Sequence, residues 1–142
     1  GTQVVNNLQL GRVLTGEQKL KVPIKSMMCW NTNPVTQSTE SEKILEGLKR
    51  EDLFLVSAEH FISDTAAYAD ILLPASMGAE QEDIILSWGH LYLTYNTKCI
   101  ESPGEAVPNY EIFRRLAKRF GFEEDWLHGL GILRGQFTKL IL

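Results

Sequence analysis

Three short apolar runs with no polar alternation limit what this 142-residue chain can fold into. They are IKSMMCW at 24–30, LFLVS at 53–57 and DILL at 70–73. A strand with one wet face alternates apolar and polar residues, so a continuous run reads as a strand covered on both faces, as in a parallel sheet. Between the first two runs, residues 39–49 place Ile44, Leu45 and Leu48 at helical spacing, with Glu42, Lys43 and Glu46 opposite. Ser38 or Thr39 is the expected cap of that helix. Strand, helix and strand at this spacing make a βαβ crossover, which is right-handed in nearly all cases. A short helix over 64–69, capped by Asp64, then leads into the third strand. Pro74 is expected to end that strand's ladder, because it has no N–H to donate. The fold class that follows is α/β, a small doubly wound parallel sheet with helices between the strands.

The flanks are less regular. Residues 1–10 allow a helical turn through Val4, Val5, Leu8 and Leu10, which Gly11 and Gly16 interrupt. Residues 91–95, LYLTY, read as an antiparallel edge strand or an extended arm. Asn109 is the expected cap of a helix over 110–120 with the apolar stripe Ile112, Phe113, Leu116, Ala117 and Phe120. Gly121 takes the place of a C-terminal glycine cap after Lys118 and Arg119, which suit the negative end of the helix dipole. Beyond it Trp126, Leu130, Ile132, Leu133 and Phe137 are apolar, and glycines 129, 131 and 135 break any helix. Residues 1–23 and 122–142 are therefore expected to pack on further domains.

Composition removes several functions. A net charge of −4 gives no electrostatic reason to expect nucleic acid or an anionic membrane as partner. No apolar run approaches the ~20 residues a membrane helix needs. Cys29 and Cys99 are the only cysteines, lie far apart and form no CxxC, so neither a disulfide scaffold nor a cysteine-rich metal site is expected, and a reducing compartment is favoured. One domain is the expectation at this length.

Open α/β sheets place ligands at the carboxyl ends of their strands. Three loops qualify, 31–34, 58–61 and 75–83. Asn31 and Asn33 can hydrogen-bond a base or phosphate, or simply close an Asx turn. Glu59 lies just past the second strand, where Rossmann-like folds put an acid on ribose hydroxyls; a solvated loop carboxylate is the plainer reading. Glu80, Glu82 and Asp83 read as a solvated turn rather than a metal cluster, because no histidine stands at ligand spacing. No GxGxxG, Walker, HExxH or nucleophile-elbow motif is present; His60, His90 and His128 are scattered, and Ser57, Ser63, Ser76 and Ser87 have no elbow around them. No catalytic residue and no metal ligand is assigned within the chain.

Taken together, Asn33-Pro34 after a strand, GLKREDLFLVSAEHFISDTAAYADILLPA, the Glu80 loop and PGEAVPNYEIFRRLAKRFGF resemble the cofactor-binding third domain of molybdopterin oxidoreductases. The likeness is to formate-dehydrogenase-like anaerobic dehydrogenases of the dimethyl sulfoxide reductase superfamily, and it runs from about residue 10 to 122 in one order. It implies a Rossmann-like three-layer domain, a fragment of a larger multidomain enzyme. Such an enzyme holds molybdenum (or tungsten) between two molybdopterin guanine dinucleotides, and this domain would grip one guanine dinucleotide arm. The resemblance puts Asn33 at the asparagine of the first loop and Ala58 with Glu59 at the pair after the second strand. Glu80 and Gln81 fall in the loop after LLP, and Asn109 at a position commonly Asp that reads the guanine edge. An amide there cannot act as a charged two-point acceptor.

The metal ligand, an iron–sulfur cluster and the last pterin-binding domain would belong to regions outside these residues. The implied partners are the remaining domains of the catalytic subunit and electron-transfer subunits. The implied setting is prokaryotic, cytoplasmic or periplasmic as a leader outside these residues directs. A stand-alone α/β interaction module that uses its acidic loops for protein contact is the alternative from another class.

Overall fold

The computed structural model describes residues 4–86 and 88–121. The expectations for Ser87, His128 and the 122–142 segment lie outside them. The fold divides into two compact units, the first ending at Leu73 and the second beginning at Pro74.

In the first unit the apolar runs do form strands: β1 is Ser26–Trp30, β2 Phe54–Glu59 and β3 Ile71–Pro74. The sheet order is β1-β2-β3, and β1 runs parallel to β2 in a register from Ser26↔Phe54 to Trp30↔Ala58. This is the small parallel sheet of the expected mixed α/β class. Helix α1 is Leu10–Leu14, α2 is Pro34–Gln37 and α3 is Ser41–Leu48. Their buried side chains Leu14, Val35, Ile44 and Leu48 close over Cys29, Leu53 and Leu55 in one apolar core.

Several local expectations are corrected. Helix α1 packs on α3, and its Val13 and Leu14 are buried. Gly11 does not break that helix. It lies inside it, where an added Cβ would come within 3.0 Å of Lys43 Cβ. Gly47 of α3 is tighter still, since a Cβ there would overlap the side chain of Leu14. The two glycines let the helices approach closely, a packing role that a propensity scale cannot register.

The crossover contains α2, which the sequence reading passed over although Pro34 at its first turn suits a helix start. α3 has no hydroxyl cap: Glu40 occupies the cap position in the left-handed region (φ 57°), while Ser38 Oγ bonds Asn7 Oδ1 and Thr39 Oγ1 donates to the Leu8 carbonyl. The next helix is only a 3₁₀ turn at Ala66–Tyr68, and Ser63 Oγ rather than Asp64 accepts its early N–H, from Ala66 at 3.3 Å.

The third strand was expected to be covered on both faces, yet Ile71 and Leu72 are each 44% exposed. β3 is the last strand in the order, and a short apolar run cannot distinguish an edge strand from a central one.

In the second unit Pro74 does not end the pairing. Its carbonyl accepts from Val107 N–H (3.2 Å), Ser76 N–H donates to the Val107 carbonyl (3.0 Å), and Ala75 bridges Val107 in parallel. Strand β4, Asp83–Leu86, begins at the last residue of the expected 75–83 loop; it pairs antiparallel with β5, Leu93–Asn96, which starts two residues later than the 91–95 expected. Helix α4, Asn109–Phe120, starts with Pro108 at the cap position and Asn109 inside the first turn, and its Asn109 side chain makes no capping bond. Gly121 closes it at φ 79°, as the sequence required. Of the expected stripe, Ile112 and Ala117 are buried and Phe120 is 75% exposed.

Candidate binding site at the strand ends

Because β1 and β2 are parallel and in register at Trp30↔Ala58, the residues that follow them emerge at one edge of the sheet. Asn33 leaves β1 there and Glu59 is the last residue of β2. Ala58 is buried, with only a methyl group to crowd that edge.

Asn33 is tied down. Its N–H donates to Gln37 Oε1 (2.8 Å), and Thr32 Oγ1 donates to the same oxygen (2.9 Å). Its own Oδ1 accepts from Thr65 Oγ1 (2.6 Å) and from Thr65 N–H (3.2 Å). Thr65 Oγ1 in turn accepts from Val35 N–H at 3.1 Å. Thr65 is fully buried. No sequence pattern marks it, since the bonds span some thirty residues.

Glu59 makes itself felt on its neighbour strand. Burial, and then the Glu59 charge, push the Cys29 thiol from 9.0 up to about 11. Ser57, cross-strand from Cys29, is fully buried and its Oγ meets no partner among the described residues.

In the second unit the loop after β3 is built around Asn96, whose Nδ2 donates to the carbonyls of Gly78 (2.5 Å) and Gln81 (2.9 Å). Glu80 spends its carboxylate on the Met77 N–H (3.0 Å), closing the 3₁₀ turn Gly78–Glu80. Among the described residues no group of His, Cys, Asp and Glu is arranged to hold a metal ion. Gln81 donates through Nε2 to Asp83 Oδ2 at 3.4 Å, and its Oε1 is buried without a donor among the described residues. Asn109 Oδ1 is likewise buried and meets no donor among them. The Tyr110 hydroxyl is pushed above its ordinary value, first by burial and then by Glu111, Glu82 and Asp83, with Arg114 opposing. Glu82 and Asp83 therefore lie within electrostatic reach of the first turn of α4, and Gln81 adjoins them. His90 is engaged locally, its Nδ1 accepting from Tyr92 N–H at 3.2 Å.

Parallel strands that deliver polar loops at one edge of a small sheet are the arrangement with which open α/β folds hold ligands. The family model for molybdopterin oxidoreductase matches residues 1–119. The chain is 43% identical over 122 residues to the probable oxidoreductase YoaE of Bacillus subtilis (strain 168), covering 86% of this chain and 18% of that protein. It is 37% identical over 123 residues to the dimethyl sulfoxide reductase DmsA of Escherichia coli (strain K12), covering 80% and 15%. Among solved structures it resembles acetylene hydratase from Pelobacter acetylenicus, with a TM-score of 0.72 and 26% identity, covering 83% of this chain and 16% of that one.

The chain belongs to the molybdopterin oxidoreductase family, and it spans less than a fifth of the length of these relatives. Membership implies a pterin cofactor carrying molybdenum or tungsten. The two orphaned acceptors fit such a group, since a buried carbonyl without a donor costs free energy unless a ligand supplies one. No helix among the described residues is long and apolar enough to cross a membrane.

Proposed function

We propose that this chain grips one guanine dinucleotide arm of a bis(molybdopterin guanine dinucleotide) cofactor, within the catalytic subunit of a molybdenum-dependent anaerobic oxidoreductase. The observation that carries the reading is the pair of buried, donorless amide oxygens in the second unit, Gln81 Oε1 and Asn109 Oδ1. Guanine presents N1–H and N2–H donors on one edge, and two neutral acceptors take them without the charged carboxylate usual in this family. Glu59, at the end of β2, suits ribose hydroxyls. Glu80 holds the backbone of its loop and acts on the ligand through that backbone. Asn33 and Ala58 complete the strand-end edge, the first as a hydrogen-bonding group and the second by leaving room.

The metal-bound pterin supplies the redox chemistry when present. The residues of this chain bind and orient its nucleotide tail and shield it from water. The metal's protein ligand and the electron relay belong to the rest of the polypeptide, and electron-transfer subunits are its expected partners.

The test uses the complete open reading frame that carries these residues. Gln81→Met and Asn109→Ala are each expected to lower the GMP released on acid hydrolysis and the bound molybdenum by several-fold. Neither should lower the unfolding midpoint by more than about a degree or two, because each removes an unsatisfied acceptor and the bond Gln81 also loses, to Asp83, is long and exposed. Full loading of both variants with guanine and metal would refute the proposal.

A further inference from the structure

The two bonds between Thr65 and Asn33 fix which end of the Asn33 amide is free. A backbone N–H can only donate, so the Asn33 atom that meets Thr65 N–H at 3.2 Å is an oxygen. The Thr65 hydroxyl already accepts from Val35 N–H, so its own hydrogen is available to that same oxygen, at 2.6 Å. Oδ1 is thus held twice by a fully buried residue, and Nδ2 carries two hydrogens that meet no acceptor among the described residues. The carbonyl end cannot turn outward without stranding Thr65 N–H and its hydroxyl.

We infer that Thr65 is a positioning residue that sets the polarity of Asn33, so that the loop after β1 presents an N–H donor pair to a phosphate-type oxygen rather than an acceptor to a base. This deepens the dinucleotide reading and rests on it. The same loop could have read guanine N–H groups only with the amide reversed, and the Thr65 contacts forbid that. The neutral donor suits a diphosphate in a chain whose net charge is −4, where an incoming anion gains little from the overall field.

The experiment is a ¹H–¹⁵N titration of the cofactor-free product of the complete open reading frame, labelled at asparagine, with low millimolar inorganic pyrophosphate, GDP and guanosine and the Asn33 side-chain NH₂ resonances as readout. Pyrophosphate and GDP are expected to shift them downfield, and guanosine to leave them in place. Asn33→Asp keeps an oxygen for Thr65 and removes the donors, so it should weaken pyrophosphate binding about tenfold or more while guanosine binding stays. Thr65→Val should weaken pyrophosphate binding as well, and Thr65→Ser should restore it. A merely structural Thr65 would not show that rescue with guanosine binding constant throughout. If pyrophosphate binds Asn33→Asp as well as the parent chain, the inference is overturned and the dinucleotide reading survives. If the parent chain binds none of the three probes, the dinucleotide reading falls and the inference falls with it.

Discussion

Asp70 and Leu55 hold each other by reciprocal hydrogen bonds: Leu55 N–H donates to the Asp70 carboxylate at 2.7 Å, and Asp70 N–H donates to the Leu55 carbonyl at 2.8 Å. Asp70 directly precedes β3, so this pair starts the docking of the edge strand on β2. Asp70→Ala would leave a buried N–H without a partner, at a cost of about 1–3 kcal/mol. Asp70→Asn keeps an acceptor oxygen and should lose less. Urea unfolding midpoints measure both, and an Asp70→Ala protein as stable as the parent would contradict the role given to the pair.

The crossing of α1 and α3 depends on Gly47. A methyl group there overlaps Leu14, which is itself almost fully buried. Gly47→Ala should therefore destabilise by about 1–3 kcal/mol through overpacking, against the ~1 kcal/mol that helix propensity alone would return. Adding Leu14→Ala should be less than additive, because the second change makes the room the first one needs. Additive losses in the double mutant would place the strain elsewhere.

Glu111 ties the first turn of α4 to its second. Its carboxylate accepts from Arg114 Nε (2.6 Å) and Arg115 Nε (2.8 Å). The bond from Arg114, then that from Arg115, hold the carboxyl down to about 2 from 4.5, with desolvation opposing. A folded value below the unfolded one means the contribution is complete above pH 4.5 and is lost as pH falls toward about 2. Acid unfolding of Glu111→Gln should show a shallower loss of stability across that window. Identical acid profiles would remove the ion pairs from the stability of α4.

The two thiols should differ sharply. Cys99 is exposed, whereas Cys29 is buried with its thiol pushed up to about 11. A disulfide reagent at mildly alkaline pH should therefore modify one thiol in the native protein and the second only on unfolding. Because the folded value of Cys29 is the higher one, its contribution is whole below 9.0 and fades as pH rises toward 11. Rapid modification of both native thiols would contradict the burial of Cys29.

How much of this was legible beforehand differs by element. β1, β2 and β3 announced themselves through unbroken apolar runs, α3 through its period, and the end of α4 through Gly121, since each signal acts within a few residues. The caps were misassigned at Ser38, Thr39, Asp64 and Asn109, because a hydroxyl or amide can bond a distant partner instead of the nearest N–H, as Thr39 does with Leu8. β4 was invisible, because its short run pairs only with β5 and carries no turn signal of its own.

The sequence by itself determined the three strands of the parallel sheet, the order of the loops and the family they resemble, for those depend on local pattern and on the identity of residues in line. Only the tertiary structure decided that β3 is an exposed edge, that Gly11 and Gly47 seat one helix on another, and that Thr65 turns the Asn33 amide. Those facts rest on hydrogen bonds and contacts between residues some thirty positions apart, whose partners are chosen when the chain packs.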